Sequence, residues 1–152
     1  MKAVKRTLVT ITKNYKGTNS MRLKNFYAVG IDHKELQMEE REAFTKSRPS
    51  EVVENLFLED KIHGYIDLST CLRVEFYLHL KDRDMDLNSL FIGQRGIFIK
   101  RGEEALDYLF RVICGCESVI KGEDQILAQV KNAYDKSFNL KRSSKILNII
   151  FN

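Results

Sequence analysis

Arg73-Val74-Glu75-Phe76-Tyr77-Leu78-His79-Leu80 decides the architecture, because its side chains change character at every step. Val74, Phe76, Leu78 and Leu80 share one parity and Arg73, Glu75, Tyr77 and His79 the other, the period of a β-strand with one apolar and one polar face. The apolar set is expected to enter a core and the polar set to face water. Just upstream, Tyr65-Ile66-Asp67-Leu68 marks a second short strand over 64–69, so the intervening Ser69-Thr70-Cys71-Leu72 falls at a strand-to-strand connection, where a rigid scaffold presents side chains to ligands. A thiol of ordinary pKa, ~8.5, is only a few per cent ionised at neutral pH, and a neighbouring guanidinium or helix N-terminus lowers that value. Two readings of Cys71 stand side by side: a nucleophile with Arg73 as its cation, or a small hydrophobe buried as free cysteines usually are.

Outward from this pair, the run 25–31 (NFYAVGI) is a further strand candidate. A helical region follows from about Met38 and restarts near Pro49, where proline suits a first helical turn. A short helical stretch is expected over 86–91 and a last short strand over 96–100. Beyond Gly102 the period becomes that of helices. Ala105, Leu106, Leu109, Phe110 and Ile113 form one apolar stripe, interrupted at Gly115. A second helix is expected to open at Gly122, with Glu123 and Asp124 in its first turn, where the helix dipole favours acids. Its buried side would carry Ile126, Leu127, Val130, Ala133 and Tyr134, and its polar side Gln125, Gln129 and Asn132. A final amphipathic stretch over 141–151 ends in Ile146, Leu147, Ile149, Ile150 and Phe151.

The 152 residues, 43% hydrophobic and 30% charged, suffice for one domain with a real core. Three cysteines, with no secretory leader and no apolar run of membrane-spanning length, point to a reducing, cytoplasmic setting without membrane attachment. Cys114 and Cys116 form a C-x-C with no second pair at ligand spacing, so no metal is expected. Net charge is +4, but seven cations precede the first acid, Asp32. Without them eighteen cations face twenty-one acids, so the body has no bulk basic character. Contact with nucleic acid would have to be local, at the N-terminal arm or around Lys136, Lys141, Arg142 and Lys145. No strand-Gly-x-Gly-x-x-Gly-helix unit is present, which excludes a dinucleotide pocket of that kind.

Three blocks together resemble the glutamyl-tRNA reductase family, whose enzymes begin tetrapyrrole synthesis from charged tRNA. Gly30-Ile31-Asp32-His33-Lys34 with Arg41-Glu42 is similar to G-x-x-H-K…R-E, and Ser69-Thr70-Cys71-Leu72-Arg73-Val74-Glu75 to S-T-C-N-R-x-E. Leu109-Phe110-Arg111-Val112, Gly115-Cys116-Glu117-Ser118 and the run 122–131 (GEDQILAQVK) are similar to L-F-R-V-A-S-G-L-D-S…G-E-P-Q-I-L-G-Q-V-K. The likeness covers roughly residues 25–150. It implies an α+β fold: a ferredoxin-like β-α-β-β-α-β sheet domain with additional C-terminal helices. Residues 1–22 would then be a basic extension, 23–140 the catalytic domain, and 141–152 the start of a connecting helix to domains beyond this chain.

The same resemblance implies that Cys71 attacks glutamyl-tRNA to form a glutamyl thioester, which NADPH bound by another domain reduces to glutamate-1-semialdehyde. It also implies a homodimer formed through a further C-terminal domain. Carried over by position, Thr70, Leu72, Arg73, Ser118, Glu123, Asp124, Gln125 and Gln129 would form the substrate pocket. Arg73 would pair the glutamate side-chain carboxylate, and Glu123 or a nearby amide would receive the α-ammonium. The chain departs from the pattern at Tyr108, where the family usually has a histidine, at Leu72 for asparagine, at Asp124 for proline, and at Glu35-Leu36-Gln37 for T-A-P. Tyr108 thus becomes a modulating position, with His33 and His79 as candidate replacements for the histidine. The alternative reading is a non-catalytic ferredoxin-like module binding RNA or protein, for which Tyr77 is the aromatic on the polar face of the strand.

Overall fold

The computed structural model describes residues 23–118 and 125–152. After a 3₁₀ turn at Leu23–Asn25 come β1 (Phe26–Asp32), α1 (Met38–Lys46), α2 (Pro49–Leu58), β2 (Ile62–Ser69) and β3 (Arg73–Leu80). A 3₁₀ turn at Leu87–Phe91 leads to β4 (Phe98–Arg101), then α3 (Glu103–Ile113), α4 (Gln125–Asn139) and α5 (Lys145–Phe151). The strands form one antiparallel sheet in the order β2-β3-β1-β4, the ferredoxin-like order, with Asp32 opposite Arg73 and Gly30 opposite Glu75.

Local chemistry explains the helix starts. Gln37 and Glu40 form a capping box, with Gln37 N donating to Glu40 Oε2 at 2.9 Å, and Pro49 occupies the first turn of α2. The second crossover departs from the expected β-α-β-β-α-β pattern, because between β3 and β4 only the 3₁₀ turn is present. Its Leu87 and Phe91 close the core in place of a helix, and Phe91 packs edge-on against Phe44 at 5.3 Å.

The sheet is covered on both faces. Val74, Phe76, Leu78 and Leu80 pack with α1 and α2 through Phe44, Val53 and Leu56. Phe26, Ala28, Ile66, Leu68 and Tyr77 pack with α3, α4 and α5 through Leu109, Val112, Val130 and Leu147. This corrects the expected wet face of β3: Arg73 is 1% exposed, and Glu75 and Tyr77 are wholly buried. With Tyr77 inside, the aromatic that would have recommended a sheet-surface RNA reader is withdrawn from solvent. A second correction falls on α4, where Ile126, Val130 and Tyr134 are buried but Leu127 is 48% exposed. Residue 127 sits about 100° around the helix from Ile126, at the margin of the stripe. The opening turn expected at 122–124 lies outside the described residues.

Gly30 is required by the neighbour across the ladder. A Cβ there would stand 2.3 Å from Val74 O and 2.5 Å from Glu75 Cα, so its missing side chain lets the two backbones approach.

Candidate active site

The β2–β3 hairpin turns on Thr70, Cys71 and Leu72. Thr70 N donates to Arg73 O at 2.8 Å and Leu72 N to Thr70 Oγ1 at 3.3 Å, a local hydroxyl-to-backbone bond that fixes the tip. Cys71 is exposed at that tip, and its carbonyl accepts from Arg41 Nε at 3.2 Å, while Arg41 Nη1 donates to Leu36 O at 2.6 Å. Cys71 lines a cleft of about 400 Å³ together with Ser69, Thr70, Gln129, Asn132 and Lys136. The buried-hydrophobe reading of this cysteine is therefore overturned.

Arg73 goes elsewhere. The turn breaks the strand parity, and the arginine enters the layer between β3 and α3. Its Nη2 donates to Glu117 O at 2.7 Å, while Nη1 lies 3.5 Å from Glu75 Oε1 and makes no hydrogen bond among the described residues. Glu75 also accepts from Tyr77 Oη at 2.8 Å and from Tyr108 Oη at 2.8 Å. Burial pushes the Glu75 carboxyl up, against the pull of the Arg73 charge and the two phenols. The Tyr108 phenol is pushed far above its ordinary value by burial and by the Glu75 charge, so it donates and does not act as a base.

Glu117 joins three elements. Its carboxylate accepts from Lys34, just beyond β1, and from Arg111 Nε of α3 at 2.6 Å, while its carbonyl holds Arg73 of β3. Burial alone would raise this carboxyl, but the hydrogen bonds from Lys34 and Arg111 hold it below the usual range. Tyr108, Glu117, Asp32 and Lys34 line a separate cleft of about 390 Å³.

The structure therefore brings Cys71, Thr70 and Gln129 to one cleft, with Leu72 half-buried in its turn. It does not place Arg73 or Tyr108 there. Ser118 is half-buried directly after Glu117, and Gln125 is exposed at the start of α4. Glu123 and Asp124 lie outside the described residues. His79 sits at the opposite end of β3, ring-packed on His63 at 4.6 Å and bonded through Nδ1 to Ser144 Oγ at 2.9 Å. Its pKa is pulled down to about 4, mainly by burial. His33 stays at the Arg73 end of the sheet, held low by burial against the raising effect of Asp32, and its buried Nδ1 has no hydrogen-bond partner among the described residues. Sequence reasoning missed Arg41 as the cation tethered to Cys71 and Lys136 as part of the cleft. The first had a signal, its place in the Arg41-Glu42 block, and the second had only its helical spacing from Gln129.

No group of three or more His, Cys, Asp or Glu among the described residues is placed to hold a metal ion. No described helix is long and apolar enough to cross a membrane. Nor does the turn from β4 through Gly102 into α3 make a dinucleotide cradle. Gly102, the glycine that leads β4 into α3, spends its N–H on Phe26 O at 2.8 Å, and a Cβ there would meet Leu23 O at 3.4 Å. That N–H is therefore not free for a pyrophosphate.

Residues 29–152 match the family model described as Glutamyl-tRNAGlu reductase, N-terminal domain. A glutamyl-tRNA reductase of Fusobacterium nucleatum is 48% identical over 132 residues, covering 86% of this chain and 40% of that protein. One from Methanopyrus kandleri is 38% identical over 130 residues, covering 85% of this chain and 31% of that protein. The solved structure of Glutamyl-tRNA Reductase from Methanopyrus kandleri superimposes with a TM-score of 0.70 over 84% of this chain and 32% of that one. This chain thus spans less than half the length of these relatives. The match runs from β1 to the end of α5 and includes the Cys71 hairpin and the Gln129 helix, so the chain belongs to the glutamyl-tRNA reductase N-terminal domain family.

Proposed function

We propose that this chain is the acyl-accepting domain of a glutamyl-tRNA reductase and that Cys71 is its nucleophile. The thiolate adds to the carbonyl carbon of the ester joining glutamate to the 3′-terminal ribose. The carbon–oxygen bond breaks, its electron pair leaves with the ribose oxygen, and the proton given up by the thiol ends on that hydroxyl. Glutamyl remains as a thioester, whose sulfur is a better leaving group for the next step than the alkoxide was. Gln129 on the cleft wall offers both a donor and an acceptor to the bound glutamyl group. Thr70, Leu72, Ser118, Glu123, Asp124 and Gln125 complete the pocket in this reading, while Arg73, buried against Glu75 and Glu117 O outside the Cys71 cleft, is not asked to meet the substrate.

NADPH supplies the hydride for the whole enzyme in this reading. With no strand-Gly-x-Gly-x-x-Gly-helix unit in the sequence and no dinucleotide cradle at Gly102, the step assigned to this chain stops at the acyl-enzyme. Glutamyl-tRNA as partner, a homodimer of the whole enzyme, a cytoplasmic setting, and a division at 1–22, 23–140 and 141–152 belong to the same proposal.

The supporting observation is the exposed sulfur beside Thr70 and Gln129 in a chain of this family. Intact-mass analysis after incubation with glutamyl-tRNA tests it. A glutamyl adduct confined to the Cys71 peptide, and lost in Cys71→Ser, is expected. No adduct, or one on Cys114 or Cys116, overturns the assignment.

A further inference from the structure

The cleft that holds Cys71 continues past Gln129. Gln125, Gln129, Asn132 and Lys136 follow one another at intervals of four, three and four residues, so they form a single stripe along α4. The last three line the Cys71 cleft. Lys136 and Asp67 also line the adjoining depression that reaches Leu140 and Arg142, so a trough runs beside edge strand β2 from the thiol toward the C-terminal end of α4. The other charges of this trough are engaged: Arg142 is paired with Glu54, and Asp67 accepts from the hydroxyls of Ser50 and Ser69. Lys136 is exposed and, among the described residues, has neither an ion-pair nor a hydrogen-bond partner.

Resting on the acyl-transfer reading above, we propose that this trough seats the 3′-terminal nucleotide of the aminoacylated RNA, with Asn132 meeting the ribose and Lys136 the phosphate on its 5′ side. The order of chemistry along the helix carries the inference. An ester carbonyl placed at Cys71 Sγ has the ribose oxygen as its next atom, and the phosphate lies on the far side of that sugar. At ~1.5 Å per residue, Asn132 stands ~4.5 Å and Lys136 ~10.5 Å beyond Gln129 along the axis. An amide, which both donates and accepts, thus precedes an ammonium, a point cation suited to phosphate. Among the described residues Lys136 is the one unpaired cation of this trough, which suits a body without bulk basic character, since the terminal nucleotide needs only a local contact.

Uncharged RNA minihelices test this without any reaction at Cys71. A minihelix ending in CCA is titrated against the parent chain, Lys136→Glu, Lys136→Arg and Lys46→Glu, the last making the same charge change on α1 across the sheet. Lys136→Glu is expected to weaken binding about tenfold and to reduce the salt dependence by about one counterion, with Lys136→Arg restoring it and Lys46→Glu changing it by less than about twofold. Removing the probe's terminal nucleotide should abolish the difference between the parent and Lys136→Glu. Equal weakening by Lys46→Glu, no weakening by Lys136→Glu, or a difference that survives on the shortened probe would overturn the trough. A protein occupant is indicated if RNA leaves all variants alike. If the minihelix behaves as expected while the parent never acquires a glutamyl adduct, the acyl-transfer reading fails and the trough stands.

Discussion

Replacing Glu75 by glutamine should be among the costliest single changes in this domain that keeps side-chain volume. Glu75 is the carboxylate beside the buried Arg73 guanidinium, and it accepts from both Tyr77 and Tyr108. Glutamine retains one oxygen acceptor, so one phenol keeps its bond and the other loses a contribution of about 1 kcal/mol. The greater loss falls on Arg73, which stays charged and gives up its counter-charge while Glu117 O remains its hydrogen-bond acceptor. Breaking one side of a buried pair costs about 3–5 kcal/mol. Together these give about 4–6 kcal/mol, which lowers a urea midpoint by about 2–3 M at a slope of ~2 kcal/mol/M. Arg73→Met alone should cost a similar amount by leaving the Glu75 carboxylate uncompensated. The double variant Glu75→Gln/Arg73→Met removes both charges and should recover at least about 2 kcal/mol relative to the sum of the singles. Urea denaturation followed by circular dichroism measures all four corners of the cycle. Additive singles, or a Glu75→Gln midpoint within about 0.3 M of the parent, would refute the claim that this pair holds the buried polar layer.

Gly30→Ala should lower the thermal midpoint by roughly 6–9 °C, because the new methyl must push back the β3 backbone at Val74 O and Glu75 Cα and overpacking of this kind costs about 2–3 kcal/mol; a shift under about 2 °C would show that the strands yield. Tyr108→Phe should cost about 1–2 kcal/mol through the lost bond to Glu75 while leaving the rate of Cys71 acylation within about threefold, since the two side chains line different clefts; a tenfold fall in acylation with stability intact would contradict that separation. His79 has a folded pKa of about 4, below its unfolded value of ~6.5, so between those limits the unfolded chain binds the extra proton and stability falls as pH drops from 6.5 toward 4. His79→Asn should flatten that part of the stability profile, and an unchanged slope between pH 6.5 and 4.5 would show that other groups set it.

Cys71 and Arg73 mark the boundary between what was legible and what was not. The alternation over 73–80 was enough to place a strand, the residues before it a hairpin tip, and the apolar stripes beyond Gly102 two helices, because these are periods of the local backbone. Motif spacing brought Thr70, Cys71 and Gln129 forward as one site, and the cleft gathers those three. The fate of Arg73 was not legible. A polar face on an isolated strand reads as a wet face, and only a third layer, with α3 and Glu117 folding over it, turns that face into a buried charge cluster. For the same reason the sequence marks Tyr108 only as a modulating position, and its phenol donates to Glu75. By itself the sequence determined the strand periods, the helix stripes and an uncommitted thiol at a turn. Tertiary packing alone decided which polar residues meet solvent, because covering a sheet face depends on helices more than twenty residues away along the chain.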